Sequence, residues 1–160
     1  MDLVYERFCL DVPNTARFLV PQPQTSDGAL AFTFAIGNLE SDVNYTALSY
    51  VWGASTESCP EHILLEGVRF PVTPNLLSAL TMVQGAAAQN TNNNAGLQLL
   101  WADQLCINQK DNAEKTSQVA QMGGLYATAQ KVFICLGSSE TAQDAVRLVT
   151  QVSQRISNEK

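Results

Sequence analysis

Charge is scarce in this sequence. Asp, Glu, Lys and Arg together supply 15% of its 160 residues, where a soluble domain ordinarily carries about a quarter. The shortage leaves apolar surface for another domain or subunit to cover, so a partner-dependent module fits the composition as well as a free monomer does. Basic residues are the scarcer kind. Nine Lys and Arg stand against fifteen Asp and Glu, for a net charge of −6, and no basic cluster exceeds two residues. A phosphate backbone would be repelled, which argues against nucleic-acid binding. Histidine occurs once, as His62, and the four cysteines (Cys9, Cys59, Cys106, Cys135) fall in no Cys-x-x-Cys spacing. A structural zinc site is therefore not expected. No apolar run approaches the roughly 20 residues of a membrane span. The opening Met1-Asp2-Leu3-Val4-Tyr5-Glu6-Arg7 lacks the apolar stretch of a signal peptide. Cys106 and Cys135 close apolar runs and read as reduced, buried thiols, consistent with a cytoplasmic protein.

What is present is apolar patterning, 46% of the chain, enough for the core of one domain. Residues 1–40 read as an irregular N-terminal β extension. Its two short runs, 16–20 and 29–36, are broken by Pro21, Pro23, Ser26, Asp27 and Gly28. Tyr45 to Trp52 forms a compact strand stopped by Gly53. The runs 62–65 and 68–72 flank Glu66-Gly67 as an inserted hairpin, and Pro71 confines its second strand to an edge. Thr73-Pro74 predicts an N-cap and a first helical residue, with Leu76, Leu77, Leu80, Val83 and Ala87 on one face. The Asn-rich stretch 89–96 predicts a polar linker. Residues 97–102 predict a buried strand and 103–109 a loop. Asp111 with Glu114 predicts a capped helix start, followed by Val119, Met122, Tyr126 and Ala129 along one face. A second buried strand spans 131–136, closed by Gly137, and a last helix carries Ala142, Ala145, Val149, Val152 and Ile156. From residue 45 onward this alternation predicts an α/β fold, a mainly parallel sheet with helices on both faces.

In such a sheet, ligands lie beyond the carboxyl ends of the strands. Three segments are expected there: Ser49 to Gly53, Asp103 to Gln109, and Leu136 to Ser139. The candidate binding residues are Ser49, Tyr50, Trp52, Gly53, Asp103 and Gly137. Their hydroxyls, carboxylate and indole suit a polar ligand with an aromatic base. Each also has a structural reading. Trp52 and Trp101 fill a core or stack on a ligand. Asp103 caps a loop or binds a ribose hydroxyl, and Asn108 and Gln109 tie down loop backbone. Cys106 with His62 makes a poor nucleophile–base pair, because His62 belongs to the hairpin.

Tyr45-Thr-Ala-Leu-Ser-Tyr-Val-Trp-Gly53 closely resembles the first signature of the fungal heterokaryon-incompatibility (HET) domain. Leu100-Trp-Ala-Asp-Gln-Leu-Cys-Ile-Asn-Gln109 resembles its second. Glu114, Gln118-Val119, Met122, Tyr126, Ala129, Val132 and Leu136-Gly137 continue the pattern, so the resemblance covers roughly residues 40–137. Ala102-Asp103-Gln104 departs from it, since the family usually has Ile before the Asp and a small residue after. A third signature, Arg-x-Trp-x-x-Gln-Glu, is absent, and no Trp follows Trp101. Residues 41–160 are thus expected to be the front part of a truncated domain. The resemblance implies a module of fungal non-self recognition that triggers incompatibility or programmed cell death, with self-association or other protein domains as partners. It also implies a Toll/interleukin-receptor-like (TIR-like), flavodoxin-like fold. Some TIR domains hydrolyse NAD, so NAD is a conceivable substrate, with the catalytic Glu outside this chain and the chain alone inactive. An inactive scaffold is the remaining alternative.

Overall fold

A computed structural model describes residues 2–53, 61–89 and 99–135. The chain opens with a short helix, α1 (Asp2–Glu6), in a stretch expected to be irregular β. Two eight-residue strands follow, β1 (Thr15–Gln22) and β2 (Ala31–Asn38), paired antiparallel from Thr15↔Asn38 to Gln22↔Ala31. The Pro-rich break between them turns at Gly28, whose φ of 81° suits a residue without Cβ. Phe32 and Phe34 alternate into the core along β2, each worth about 1.5–3 kcal/mol of burial. In β1 five consecutive residues, Thr15 to Leu19, are buried, the mark of a strand covered on both faces.

Next come β3 (Tyr45–Tyr50) and the hairpin of β4 (Glu61–Leu65) and β5 (Val68–Val72). Glu66 and Gly67 both have positive φ, 54° and 76°, the backbone that a two-residue hairpin turn demands. Glu66 tolerates it because its carboxylate accepts a 2.6 Å hydrogen bond from the Phe34 amide. Pro71 lies on the outermost strand, as its missing N–H requires. Helix α2 (Pro74–Gln89) starts where Thr73 accepts the Leu76 amide at 3.3 Å, and buries Leu76, Ala79, Leu80 and Val83. Strand β6 (Leu99–Trp101), the single turn α3 (Asp103–Cys106), helix α4 (Asn112–Thr128) and strand β7 (Lys131–Cys135) complete the described chain. Asp111 caps α4, accepting from the amides of Ala113 and Glu114. The linker expected at 89–96 and the helix expected after Gly137 fall at or beyond the limits of the described residues.

The seven strands form one sheet in the order β5-β4-β2-β1-β6-β3-β7. This overturns the expected mainly parallel, TIR-like or flavodoxin-like sheet with helices on both faces. The sheet is mixed. β1/β2, β1/β6 and β4/β5 are antiparallel, while β2/β4, β3/β6 and β3/β7 are parallel. Only α2 and α4 exceed five residues among the described helices. The physical reason is connection length. A short turn can join only antiparallel neighbours, whereas parallel ones need a long crossover. The β1–β2 and β4–β5 turns therefore fix two antiparallel pairs. β1 also enters the sheet beside β6, so the N-terminal strands sit in the middle of the same sheet.

Candidate functional site

β3 lies between β6 and β7 and runs parallel to both, in register Ala47↔Trp101 and Tyr50↔Cys135. Their carboxyl ends therefore share one rim. Ser49, half-buried, and Tyr50 end β3; Trp52 and Gly53 follow it; Asp103 opens the turn after β6. The structure brings these together, while Gly137 lies outside the described residues.

Asp103 is the junction of this rim. Its Oδ1 accepts from the Tyr50 hydroxyl at 2.9 Å and from the Gln104 amide at 2.8 Å, and its Oδ2 accepts from Trp52 Nε1 at 2.8 Å. The loop is fastened further by Gln109, whose Nε2 donates to the Asp103 carbonyl at 2.9 Å, and by the Thr73 hydroxyl donating to Gln104 at 3.2 Å. Asn75 Nδ2 donates to the Val51 carbonyl at 2.9 Å, holding the exit from β3 against the start of α2. Gly53 is required here twice over. Its φ is 77°, and a Cβ would stand 2.9 Å from Asn75 Nδ2. Gly53→Ala is expected to cost about 1–2 kcal/mol, read as a lower urea midpoint, while Gly85→Ala in open space on α2 leaves the midpoint unchanged or raised.

Burial, reinforced by the Asp103 carboxylate, holds the Tyr50 hydroxyl protonated well above a phenol's ordinary range. Tyr50 is thus a permanent donor, and Asp103, with both oxygens engaged, is first a brace. The two tryptophans divide. Trp101 is fully buried, its ring edge-on to Tyr126 at 5.4 Å. Trp52 is 40% exposed, so its indole is open to a flat ligand or a partner. The expected loop 103–109 is partly helical, since the Cys106 amide bonds back to the Ala102 carbonyl at 2.8 Å. His62 sits on β4, beyond β2 and β1 from β6, so no pair with Cys106 exists. Among the described residues, no three His, Cys, Asp or Glu side chains are grouped to hold a metal ion. No described helix is long and apolar enough to cross a membrane.

Sequence reasoning missed what holds the second signature from beneath. Arg17, in the middle of β1 and 1% exposed, donates to the Phe8 carbonyl at 2.7 Å and the Cys106 carbonyl at 3.1 Å. It also grips Glu114 with two bonds, at 2.5 and 2.8 Å. Glu114 in turn accepts the Asn108 amide at 2.7 Å, instead of completing the expected capping box. The Tyr5 ring lies 4.9 Å from the guanidinium, and its hydroxyl donates to the Leu105 carbonyl at 3.0 Å. An arginine inside an apolar run, with a Glu at a helix start, was the available signal. The α4 face is also shifted. Gln118 and Leu125 are buried and Met122 and Tyr126 pack on the core, but Val119 is exposed.

Cys106 is fully buried, and burial pushes its thiol from 9.0 up to about 12. The unfolded thiol ionises near 9 while the folded one stays protonated. The stabilisation is therefore complete below pH 9 and is lost as pH rises towards 12. Unfolding free energy is expected to fall from pH 9 to 11 more steeply in the parent than in Cys106→Ala, by about 1.4 kcal/mol per pH unit. Urea titrations at stepped pH check this.

A model of the family described as "Heterokaryon incompatibility protein (HET)" matches residues 45–160, which take in both signatures and the rim they build. The chain is 36% identical over 116 residues to "Heterokaryon incompatibility protein 6, OR allele" of Neurospora crassa. That alignment covers 68% of this chain and 17% of the relative, so the chain spans about a sixth of that protein's length. No solved structure matches significantly. With the family's pattern spanning most of its length, the chain belongs to the heterokaryon incompatibility (HET) family.

Proposed function

We propose that this chain is a signalling module of fungal non-self recognition, acting in heterokaryon incompatibility and ending in growth arrest or cell death. The observation that carries the reading is the Asp103 junction. It joins the first family signature, through Tyr50 and Trp52, to the second, through Gln104 and Gln109. Both signatures thus serve one rigid surface, and its exposed part is the Trp52 indole and the apolar Val51 at 67% exposure. Val132 and Ile134 also stay exposed on β7, the last strand of the sheet among the described residues. Apolar surface of this kind favours a module that works against another domain or a second copy. Induced expression of the full-length gene in a fungal host is expected to arrest growth, and Asp103→Ala in that gene to relieve the arrest. Normal growth at high expression, or arrest unaffected by the substitution, would contradict the reading.

The exposed indole favours a second reading, in which a ligand with an aromatic base, such as NAD, stacks on Trp52. The Asp103 oxygens already serve Tyr50, Trp52 and Gln104, so the ring face supplies the main attraction. NAD is then expected to quench Trp52 emission saturably without nicotinamide release by this chain. Unchanged emission at millimolar NAD removes the reading.

A further inference from the structure

The turn that carries Asp103 is too short to stand alone. Helix α3 holds four residues, and a helix leaves its last carbonyls without partners of its own. Leu105 and Cys106 are both fully buried, so their carbonyls need donors from the protein. The Leu105 carbonyl accepts the Tyr5 hydroxyl at 3.0 Å, and the Cys106 carbonyl accepts Arg17 Nη1 at 3.1 Å. Arg17 is itself set by the same stretch of chain. The Tyr5 ring lies 4.9 Å from its guanidinium, and the Phe8 carbonyl, just after α1, accepts its Nε at 2.7 Å. Both donors to the foot of α3 thus depend on residues 2–8, which belong to neither signature. α1 is lightly held in its turn. Among its described side chains only Val4 and Tyr5 are buried, while Leu3 and Glu6 are exposed. Tyr5 is the main anchor, its ring centroid 5.9 Å from that of Phe34 and 6.2 Å from that of Phe70. Short elements with few buried contacts open locally well before a domain unfolds.

We propose that α1 is a strap that sets the Asp103 rim, with Tyr5 as the positioning residue. Docked, it completes the carboxyl end of α3 and holds the Asp103 carboxylate where Tyr50 and Trp52 donate to it. Undocked, it takes the donor from Leu105 and slackens Arg17, so that α3 frays towards Asp103 and the Trp52 indole is released. The coupling runs both ways: a partner seated on the rim steadies α1. The inference takes the rim as the working surface proposed above. The coupling is measured on this chain alone, so absence of growth arrest and absence of coupling are separate results.

Amide hydrogen exchange and tryptophan fluorescence of the full chain carrying Tyr5→Phe test the proposal. The substitution removes the hydroxyl and keeps the ring against Arg17, Phe34 and Phe70. The Leu105, Cys106 and Ile107 amides, which bond to the Ala102 and Asp103 carbonyls, are expected to exchange at least tenfold faster. The Trp52 indole resonance is expected to move and its acrylamide quenching to rise, with Trp101 unchanged. The parent in enough urea to match the variant's stability is the control, because local opening exposes little surface and responds weakly to urea. It is expected to show neither change. Val4→Ala, which loosens α1 and keeps the hydroxyl, is expected to give the same pattern and carries the readout should Tyr5→Phe not fold. Unchanged α3 exchange and Trp52 signals in the folded variants, or the same changes in the urea-matched parent, would overturn the proposal and leave Tyr5 a core side chain only.

Discussion

Arg17→Ala is expected to destabilise the domain by about 3–5 kcal/mol, the loss that follows when a buried ion pair is broken from one side. Three carbonyl or carboxylate partners lose their donor together: Phe8, Cys106 and Glu114. Glu114, with 14% of its side chain accessible, is left charged against an empty site. Because domains are stable by only about 5–15 kcal/mol, this single change takes a large share of the total. Arg17→Lys is expected to recover little, since an ammonium cannot supply the paired bonds to Glu114. Urea denaturation reads the loss directly. In a cycle with Glu114→Ala the double variant is expected to be less destabilised than the sum of the single ones. Additivity would mean that the pair contributes nothing as a pair.

The second large effect is expected at the rim. Asp103→Ala removes the acceptor of the Tyr50 hydroxyl, the Trp52 indole and the Gln104 amide at once. Hydrogen bonds to a charged group contribute about 1.5–3 kcal/mol each in favourable cases, but the rim is partly solvated, so a loss of about 2–3 kcal/mol in all is expected. Fluorescence separates this from general loosening. Trp101 is fully buried and Trp52 is 40% exposed. The variant is expected to show red-shifted, more readily quenched Trp52 emission, while the Trp101 component keeps its shielding. A change in both tryptophans would point to a disturbed core instead.

Local signals read true where the chemistry was local. Thr73 and Asp111 cap the helices that follow them, Pro71 sits on an edge strand, and Glu66-Gly67 turns a hairpin. The strand ends expected to share a rim do so at Tyr50 and Asp103, because β3 and β6 are parallel neighbours. The global sheet was not legible. Its order depends on β1 entering beside β6, a pairing recorded by a single residue pair, Leu19↔Leu100, and by nothing in the periodicity of either segment. Arg17 was hidden for a related reason. Its partners Cys106 and Glu114 stand 89 and 97 residues away, so its burial shows only once the two halves of the sheet are joined. Gln118 was masked by Val119 beside it, since the apolar residue draws the predicted helix face one position away from the true one.

The central claim is that Asp103 binds the two signatures into one surface. The coupling energy between Trp52→Phe and Asp103→Asn, from urea denaturation of the parent, both single variants and the double variant, tests it most directly. The account predicts a coupling of about 1–2 kcal/mol, as for partners in one charge-assisted bond. Effects that add within about 0.3 kcal/mol would show that the indole and the carboxylate act independently, and would contradict it.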